Sequence, residues 1–575
     1  MAPSDATNSN PVRKDDAHAG TKDGETKSLT TSSFSSLSFL VALQLFSRLF
    51  TSILNQALFR LASPSVFGTA AIQFELVLST ILFLSREGVR GAILRSGGGE
   101  AKAGKVKGEE DDEQTIKARN LTFLPFYLGL PLALATSVGY VALASEEVLR
   151  QPRLHLAVAL YAVAALVELA SEPMHNMAMV QLKTHVRVRA EGLGITCKSL
   201  VTFGVLVYDE RWGQGTLPLV AFALGQLVYS LVVFGYYAKM LGVPWLNSSE
   251  RVTKGRISNF DFDKMLLKLS MTMTLQSVIK HFLTEGDKVV LSFFSPLQDQ
   301  GGYAIAVNYG SLIARIVFQP IEETLRVFFS KLLAPAPSSN AKPPKAALVQ
   351  ASTALLSLLS TQVAFSFIVT IFGSAYIGIL LPVLLPRRYL ETSAPRILDA
   401  WVWYIPVLAV NGALEAFLAS VAGTREVNRQ SRWMVFFSIV YVSVTILFYR
   451  LGFGDVSLIY ANILNLLARI AYCLAFASRY FHSADPTIRI PWKTIIPPLP
   501  FILSSLLSAW LVRISYRKLQ VGRVLEEKQR LAVLLDWRVI AHVGVGGFLA
   551  LGCLAVWWIV KGRGVIERFR KGKEE

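Results

Sequence analysis

Residues 121–144 read LTFLPFYLGLPLALATSVGYVALA and contain no charged side chain. A helix of this length crosses the hydrocarbon core of a bilayer, which is about 30 Å thick. Comparable apolar runs recur along nearly all of the 575 residues, of which 52% are hydrophobic and only 17% are charged. A soluble domain carries about 25% charged residues, and a membrane β-barrel would show alternating segments of about ten residues. The sequence therefore predicts an all-α polytopic membrane protein with about fourteen transmembrane helices.

The predicted spans follow the apolar runs and occupy most of the chain. They lie at residues 34–61, 66–86, 121–144, 154–182, 193–208, 216–239, 266–294, 302–331, 347–385, 397–423, 431–449, 455–480, 495–513 and 538–561. The ninth span is too long for one straight helix, and Gly373 and Pro382 predict a break within it. The three cysteines, Cys197, Cys473 and Cys553, lie far apart inside apolar runs. Their spacing predicts free thiols.

Polar segments between the spans divide the chain into regions. Segments rich in charged and small residues are predicted to be disordered, and a charged segment after the sixth span is interpreted as a linker between two lobes. The predicted regions are, in order, a disordered cytoplasmic tail at 1–33, an N-terminal lobe at 34–239 with a disordered loop at 87–120, a cytoplasmic linker at 240–265, a C-terminal lobe at 266–480, two further helices within 495–561, and a basic tail at 562–575.

Lysine and arginine residues concentrate in alternate segments between the spans, on the side that the N-terminus shares. By the positive-inside rule, this bias predicts that both termini are cytoplasmic. The same orientation places loop 87–120 and the linker in the cytoplasm. The glycosylation sequences at Asn120 and Asn247 are therefore predicted to stay unmodified.

The net charge of +18 does not indicate a nucleic-acid-binding protein, because the basic residues cluster in loops and tails. The motif from Gly99 to Lys105 resembles a phosphate-binding loop, but Val106 replaces the hydroxyl residue that would bind a metal ion. Asp261 and Asp263 are interpreted as part of a solvated loop that caps the seventh helix. No zinc-protease, nucleophile-elbow or clustered-histidine motif occurs in the sequence. We therefore expect no enzyme, nucleotide site, metal or cofactor.

Polar side chains inside the apolar spans are the informative signal for function. Such groups are costly at membrane depth and usually face a bundle interior or an aqueous cavity. Residues three, four and seven apart share a helix face, as do Gln44, Arg48, Thr51 and Asn55 in the first span. Comparable groups are Glu168, Glu172 and His175 in the fourth span; Lys280, His281, Glu285, Asp287 and Lys288 in the seventh; Asn308, Ser311, Arg315, Gln319, Glu322 and Arg326 in the eighth, where Pro320 can kink the helix; Asn411 and Glu415 in the tenth; and Asn462, Asn465 and Arg469 in the twelfth.

Two interpretations of these polar groups stand side by side. They can hold the helices together through ion pairs and hydrogen bonds. Alternatively, polar stripes on five or six spans line a large polar interior. A basic interior with Arg48, Arg315 and Arg326 suits an anionic headgroup such as a phosphate or pyrophosphate. Glu322 and Glu323 would partly neutralise it.

Seven segments occur in an order that closely resembles the Rft-type family of dolichol-linked oligosaccharide translocation proteins, with a fungal-like character. They are RLFTSILN at 48–55, FLSREGVR at 83–90, ELASEP at 168–173, LTEGDK at 283–288, NYGSLIAR at 308–315, QPIEE at 319–323 and NGALEAF at 411–417. The resemblance runs from about residue 35 to 560. Loop 87–120 is longer and more charged than the family pattern.

The resemblance implies the fold of the superfamily of multidrug extruders and lipid II flippases, with two six-helix lobes around a central cavity. The implied function is translocation of a dolichol-pyrophosphate oligosaccharide, with five mannoses and two N-acetylglucosamines, to the lumenal leaflet of the endoplasmic reticulum membrane for protein N-glycosylation. Membrane lipid and other proteins of the glycosylation pathway are the implied partners. Two alternatives remain open: a non-transporting lipid-binding or scaffold protein, and an ion-coupled antiporter of the same fold.

On this interpretation the polar residues divide into two candidate sets. Candidates for binding the substrate and its pyrophosphate are Arg48, Arg60, Arg86, Arg90, Lys280, Asn308, Arg315 and Arg326. Candidates for gating ion pairs or for contacts with sugar hydroxyls are Asn55, Glu168, Glu172, Glu285, Glu322, Glu323, Asn411 and Glu415.

Overall fold

The computed structural model describes residues 56–100, 120–181, 183–243, 262–333, 343–488, 490–527 and 531–562. The predicted N-terminal tail and most of the first span, of the linker and of the C-terminal tail lie outside these residues. Within them the regular structure is helical throughout, which confirms the predicted all-α class. Twelve helices in this part of the chain are long and apolar enough to cross a membrane. The protein is therefore a multi-pass membrane protein.

The helices are numbered after the predicted spans. They are α1, of which residues 56–61 are described; α2, Pro64–Leu94; α3, Leu124–Leu143; α4, Leu154–Val180; α5, Thr184–Trp212; α6, Pro218–Leu241; α7, Lys264–Thr284 followed by Gly286–Phe294; α8, Leu297–Leu332; α9, Lys345–Leu384; α10, Ala394–Val421; α11, Thr424–Arg450; α12, Val456–Ala484; α13, Leu499–Lys518; and α14, Trp537–Trp557. The predicted count of fourteen exceeds the twelve spans by α1 and α7. The Asp263 side chain caps α7 by accepting hydrogen bonds from the next turn, which confirms its predicted role.

The predicted disordered loop at 87–120 begins too early, because the helical backbone of α2 continues to Glu100. Val89 and Ile93 are buried in a small apolar cluster against which Leu266 of α7 packs. Burial of these side chains offsets the conformational entropy that the ordered segment loses. Most of the remaining loop lies beyond the residues that the structure describes.

The predicted break in the ninth span is wrong, because α9 is one continuous helix from Lys345 to Leu384. Pro382 lies in its last turn, where the missing backbone N–H and the steric effect of the ring disturb only the helix end. Gly373 faces α10, and a Cβ there would lie 2.8 Å from Val402 Cγ1. This glycine therefore permits close helix packing.

Irregular turns interrupt two of the long helices near prolines. α4 breaks at Ser171, two residues before Pro173, which cannot donate a backbone hydrogen bond to the preceding turn. α8 contains a π-helical turn, Ala314–Phe318, directly before Gln319 and Pro320. Such a turn accommodates the missing N–H of a proline within a continuing helix.

The N-terminal half (residues 56–243) meets the C-terminal half (residues 262–562) at two close contacts along α2. Near the start of α2, Gly301 of α8 approaches so closely that a Cβ there would lie 1.9 Å from the carbonyl oxygen of Pro64. Near its end, a Cβ at Gly88 would lie 2.1 Å from Thr274 Oγ1 of α7. The two contacts are about 36 Å apart along α2 at the usual helical rise. Glycine is required at both because any side chain would collide with the opposing helix.

Segments that alternate along the chain gather at one end of the molecule. Ser393 Oγ donates to Asp455 Oδ2 at 2.6 Å, and the Ser393 N–H donates to Asp299 Oδ1 at 2.7 Å. At the same end, Arg388 donates to the carbonyl oxygen of Leu61 at 3.4 Å. These bonds join the end of α1 and the first turn of α8 to the segments that follow α9 and α11, as is expected of elements on one side of a membrane.

α13 and α14 pack against each other and against α9. The Tyr376 hydroxyl of α9 donates to the His542 carbonyl oxygen of α14 at 2.9 Å. Between α13 and α14, Ser508 Oγ lies 3.3 Å from Cys553 Sγ. Cys553 and the other two cysteines are free, which confirms the prediction from their spacing.

Candidate functional site

Four charged residues meet between α2 and α4 and are here called the α2–α4 cluster: Arg86, Arg90, Glu168 and Glu172. Arg86 Nη1 lies 2.7 Å from Glu168 Oε1 and 3.4 Å from Glu172 Oε1. Arg90 donates to Glu172 twice, from Nε to Oε2 at 2.7 Å and from Nη2 to Oε1 at 2.5 Å. The members of each pair are four residues apart on their own helix, so each helix presents both of its charges on one face.

The α2–α4 cluster is shielded from solvent and balanced in charge. The Glu172 side chain is 1% exposed, and the two arginine side chains are 20% and 21% exposed. A charge in such a place is costly unless an opposite charge and hydrogen bonds compensate for the lost solvation. The structure thus brings two candidates for binding pyrophosphate together with two candidates for gating or sugar contact, as ion pairs.

A polar cavity of about 320 Å³ adjoins this cluster. Arg86, Glu87 and Glu168 line it, together with Lys198 of α5 and Gln226 of α6. Lys198 Nζ donates to Gln226 Oε1 at 2.6 Å. The volume lies at the lower end of the range of about 300–1,000 Å³ that is usual for small-molecule sites. Lys198 and Gln226 were not singled out from the sequence, although each is a polar side chain inside an apolar span.

Polar contacts between α2 and α7 continue this region into the C-terminal half. Lys280 Nζ lies 3.4 Å from Glu87 Oε1 and 5.7 Å from the centroid of the Phe83 ring. Next to it, His281 Nε2 lies 2.9 Å from Thr80 Oγ1. The predicted candidate Lys280 therefore contributes to the contact between the two halves beside the cavity.

A second group of candidates lies within the C-terminal half. Glu415 Oε1 of α10 lies 2.5 Å from Arg469 Nη2 and 2.8 Å from Arg469 Nε of α12. Asn411 is buried one turn before Glu415, and its Oδ1 has no hydrogen-bond partner in the described part of the chain. Glu322 of α8 packs at Gly412, where a Cβ would lie 1.9 Å from Glu322 Oε1. This group joins α8, α10 and α12.

Other candidates are not brought into either group. Glu285 forms a pair with Lys288 within α7, at 2.7 Å. Arg315 is exposed and donates through Nη2 to the Asn308 carbonyl oxygen at 3.1 Å. Arg315 lies within the π-helical turn of α8, which precedes Glu322, so the face that the sequence predicted for these two residues is rotated.

The remaining candidates lie at the surface or beyond the described residues. Glu323 and Arg326 are exposed on α8. Arg60 is exposed at the end of α1, before the start of α2 and far from the α2–α4 cluster. Arg48 and Asn55 precede the first residue that the structure describes. Across the described ranges, no group of three or more His, Cys, Asp or Glu side chains is arranged to hold a metal ion.

Sequence comparison with known proteins identifies a family. A family model described as Rft protein matches residues 32–571. The "Man(5)GlcNAc(2)-PP-dolichol translocation protein RFT1" of Yarrowia lipolytica is 34% identical over 511 residues, which cover 82% of this chain and 74% of that protein. The protein of the same name in Schizosaccharomyces pombe is 32% identical over 497 residues, which cover 84% of this chain and 90% of that protein.

Among solved structures, the fold is similar to that of "Lipid II flippase MurJ, inward closed conformation". The TM-score is 0.53 at 14% sequence identity, and the match covers 90% of this chain and 99% of that one. At this identity the likeness concerns the fold alone. It confirms the fold that the sequence resemblance implied.

Proposed function

Because the chain belongs to the Rft protein family, we propose that it translocates the dolichol-pyrophosphate oligosaccharide with five mannoses and two N-acetylglucosamines. The direction is from the cytosolic to the lumenal leaflet of the endoplasmic reticulum membrane, where the glycolipid serves protein N-glycosylation. The names of the relatives, which match most of this chain, support this substrate. The chain acts as a translocation protein and not as a catalyst.

The α2–α4 cluster beside its polar cavity is the structural observation that supports this proposal. Arg86 both lines the cavity and binds Glu168. A pyrophosphate offers guanidinium groups the same charge-assisted hydrogen bonds that a carboxylate does. The pyrophosphate of an incoming headgroup replaces Glu168 as the partner of Arg86. The released Glu168 carboxylate then accepts hydrogen bonds from sugar hydroxyls. The exchange keeps Arg86 paired with an anion and gives Glu168 hydrogen-bond donors while the headgroup passes.

The proposed organisation follows from the predicted regions. The segments at 34–239 and 266–480 form two lobes, the linker at 240–265 joins them, and α13 and α14 lie outside both. Both termini face the cytoplasm. In this orientation the α2–α4 cluster lies toward the cytosolic side and the loops joined by Ser393 lie toward the lumen. The polyisoprenoid tail remains in the bilayer while the headgroup moves between the lobes.

Transport by purified protein in liposomes tests the proposal. Wild-type protein should move a labelled five-mannose glycolipid between leaflets faster than protein-free liposomes do. Arg86→Gln should slow this movement about tenfold or more, because a hydrogen bond to a charged group contributes roughly 1.5–3 kcal/mol. Arg450→Gln, which alters an exposed arginine at the end of α11, is the matched control and should transport normally.

Two outcomes would contradict the proposal. Wild-type liposomes that scramble no faster than protein-free ones, while the protein still binds the glycolipid, would favour the lipid-binding scaffold. Movement of small cations or drugs against an ion gradient, without glycolipid movement, would favour the antiporter.

A further inference from the structure

A second cavity, of about 770 Å³, lies at the end of the molecule opposite the α2–α4 cluster. Both halves of the chain line it: Arg60 and Glu210 come from the N-terminal half, and Arg387, Arg388 and Glu391 come from the C-terminal half. Three positive and two negative side chains thus surround the cavity. Neither half forms this site alone.

The three arginines differ in what already binds them. Arg388 donates to the carbonyl oxygens of Arg60 and Leu61 at the end of α1, which fixes its guanidinium group in place. No ion pair within the described residues joins Arg60, Arg387 or Arg388 to a carboxylate, although Glu210 and Glu391 line the same cavity. Within the described residues, no carboxylate therefore occupies the planar donors of Arg60 and Arg387.

The position of these arginines is unusual for the proposed topology. The segment between α9 and α10 shares an end with the loops that the charge bias places outside the cytoplasm. The positive-inside rule disfavours arginine in such short loops, yet Arg387 and Arg388 are adjacent there. The charge bias therefore does not explain this pair, whereas the binding of an anion would explain it.

We propose that Arg60, Arg387 and Arg388 form a pyrophosphate-binding site on the lumenal side, at which the translocated headgroup is held before release. Guanidinium groups bind phosphate oxygens in a bidentate way. Because the arginines come from both halves, a bound pyrophosphate bridges the halves at this end. The assignment to release rests on the proposed function, whereas the anion site rests on the cavity and its charges.

Equilibrium binding of radiolabelled inorganic pyrophosphate to the full-length protein, in nanodiscs of neutral lipid, tests the site. Arg60→Gln combined with Arg387→Gln should weaken binding about a hundredfold, since each charge-assisted contact contributes about tenfold. Arg60→Lys combined with Arg387→Lys should weaken it less, because the charge remains while the bidentate geometry is lost. Glu391→Gln should tighten binding about twofold or more, because it removes a repelling charge. Arg450→Gln is the control and should leave the affinity unchanged.

Equal affinities for wild type and the double glutamine variant, or an equal loss in Arg450→Gln, would overturn the site. If the double variant folds poorly, Glu391→Gln still tests the site, because it should tighten pyrophosphate binding. Unchanged or weaker binding in Glu391→Gln would contradict the site. Competition by dolichol pyrophosphate identifies the lipid headgroup as the ligand, and its absence identifies free pyrophosphate; both support the anion site. If the protein binds pyrophosphate but does not transport the glycolipid, only the proposed function is contradicted. If it transports the glycolipid but pyrophosphate binding does not depend on Arg60 and Arg387, only this site is contradicted.

Discussion

Glu172 is buried and binds Arg90, whereas Glu146 forms an exposed pair with Arg150 at 2.9 Å. Glu172→Gln leaves the charge of Arg90 without its partner inside the protein. This variant should lower the free energy of unfolding by about 3–5 kcal/mol. Glu146→Gln should change it by less than about 1 kcal/mol, because water solvates both partners. Thermal or denaturant unfolding in detergent measures both variants.

A double variant checks the physical reason for this difference. Arg90→Met with Glu172→Leu removes both charges and should recover most of the stability, since no buried charge is left unpaired. If Glu172→Gln proves as harmless as Glu146→Gln, the pair does not stabilise the fold.

The sequence predicts which four residues are candidates for the α2–α4 cluster, but it does not predict which of them form ion pairs. Glu168 and Glu172 were selected by their spacing, which is a property of one helix. Their binding to Arg86 and Arg90 depends on how α4 is rotated against α2, and no pattern within either helix states that rotation. The sequence pattern does not point to Lys198, because it is the lone charged residue of its predicted span and its neighbour on the same face, Thr202, is uncharged.

At the scale of the helices, hydropathy predicted where spans lie because burial in lipid is a property of each segment by itself. The run at 121–144 became α3, Leu124–Leu143, with small changes at its ends. Local irregularities were harder to predict. Pro320 follows a π-helical turn and Pro173 follows a helix break. Pro382, near the end of α9, causes neither kind of irregularity. The effect of a proline depends on the neighbouring helices that satisfy the freed backbone groups.

The close contact at the start of α2 gives a prediction for an element. Gly301→Ala places a methyl group on the carbonyl oxygen of Pro64, so α2 and α8 have to move apart. We expect a loss of roughly 1–3 kcal/mol in unfolding free energy, the usual cost of overpacking. Gly378→Ala in α9 is the matched control, because nothing lies within 4 Å of its Cβ position. It should be neutral or slightly stabilising, since alanine favours the helix.

Melting temperatures of the two glycine variants in the same detergent provide the measurement. Equal melting temperatures would show that α2 and α8 are not in close contact in the membrane protein as purified.

At the scale of the whole molecule, the proposed orientation predicts the glycosylation state. Asn120 and Asn247 should carry no glycan in cells, because the proposed orientation assigns both to the cytoplasmic side. An acceptor sequence inserted after Glu527, between α13 and α14, should be modified. Gel mobility before and after glycosidase treatment measures both. A glycosidase-sensitive shift of the natural chain that disappears in Asn247→Gln would reverse the assignment of the linker.

The two glycine contacts of α2, at Gly301 and at Gly88, have a consequence for motion. Atoms already at van der Waals distance cannot slide past one another gradually, so relative movement of the halves proceeds between discrete arrangements. If one contact separates while the other stays closed, we expect α2 to pivot about the glycine that remains in contact, over a distance of about 36 Å. Alternation between the two contacts should then open the contact between the halves first at one end of α2 and then at the other.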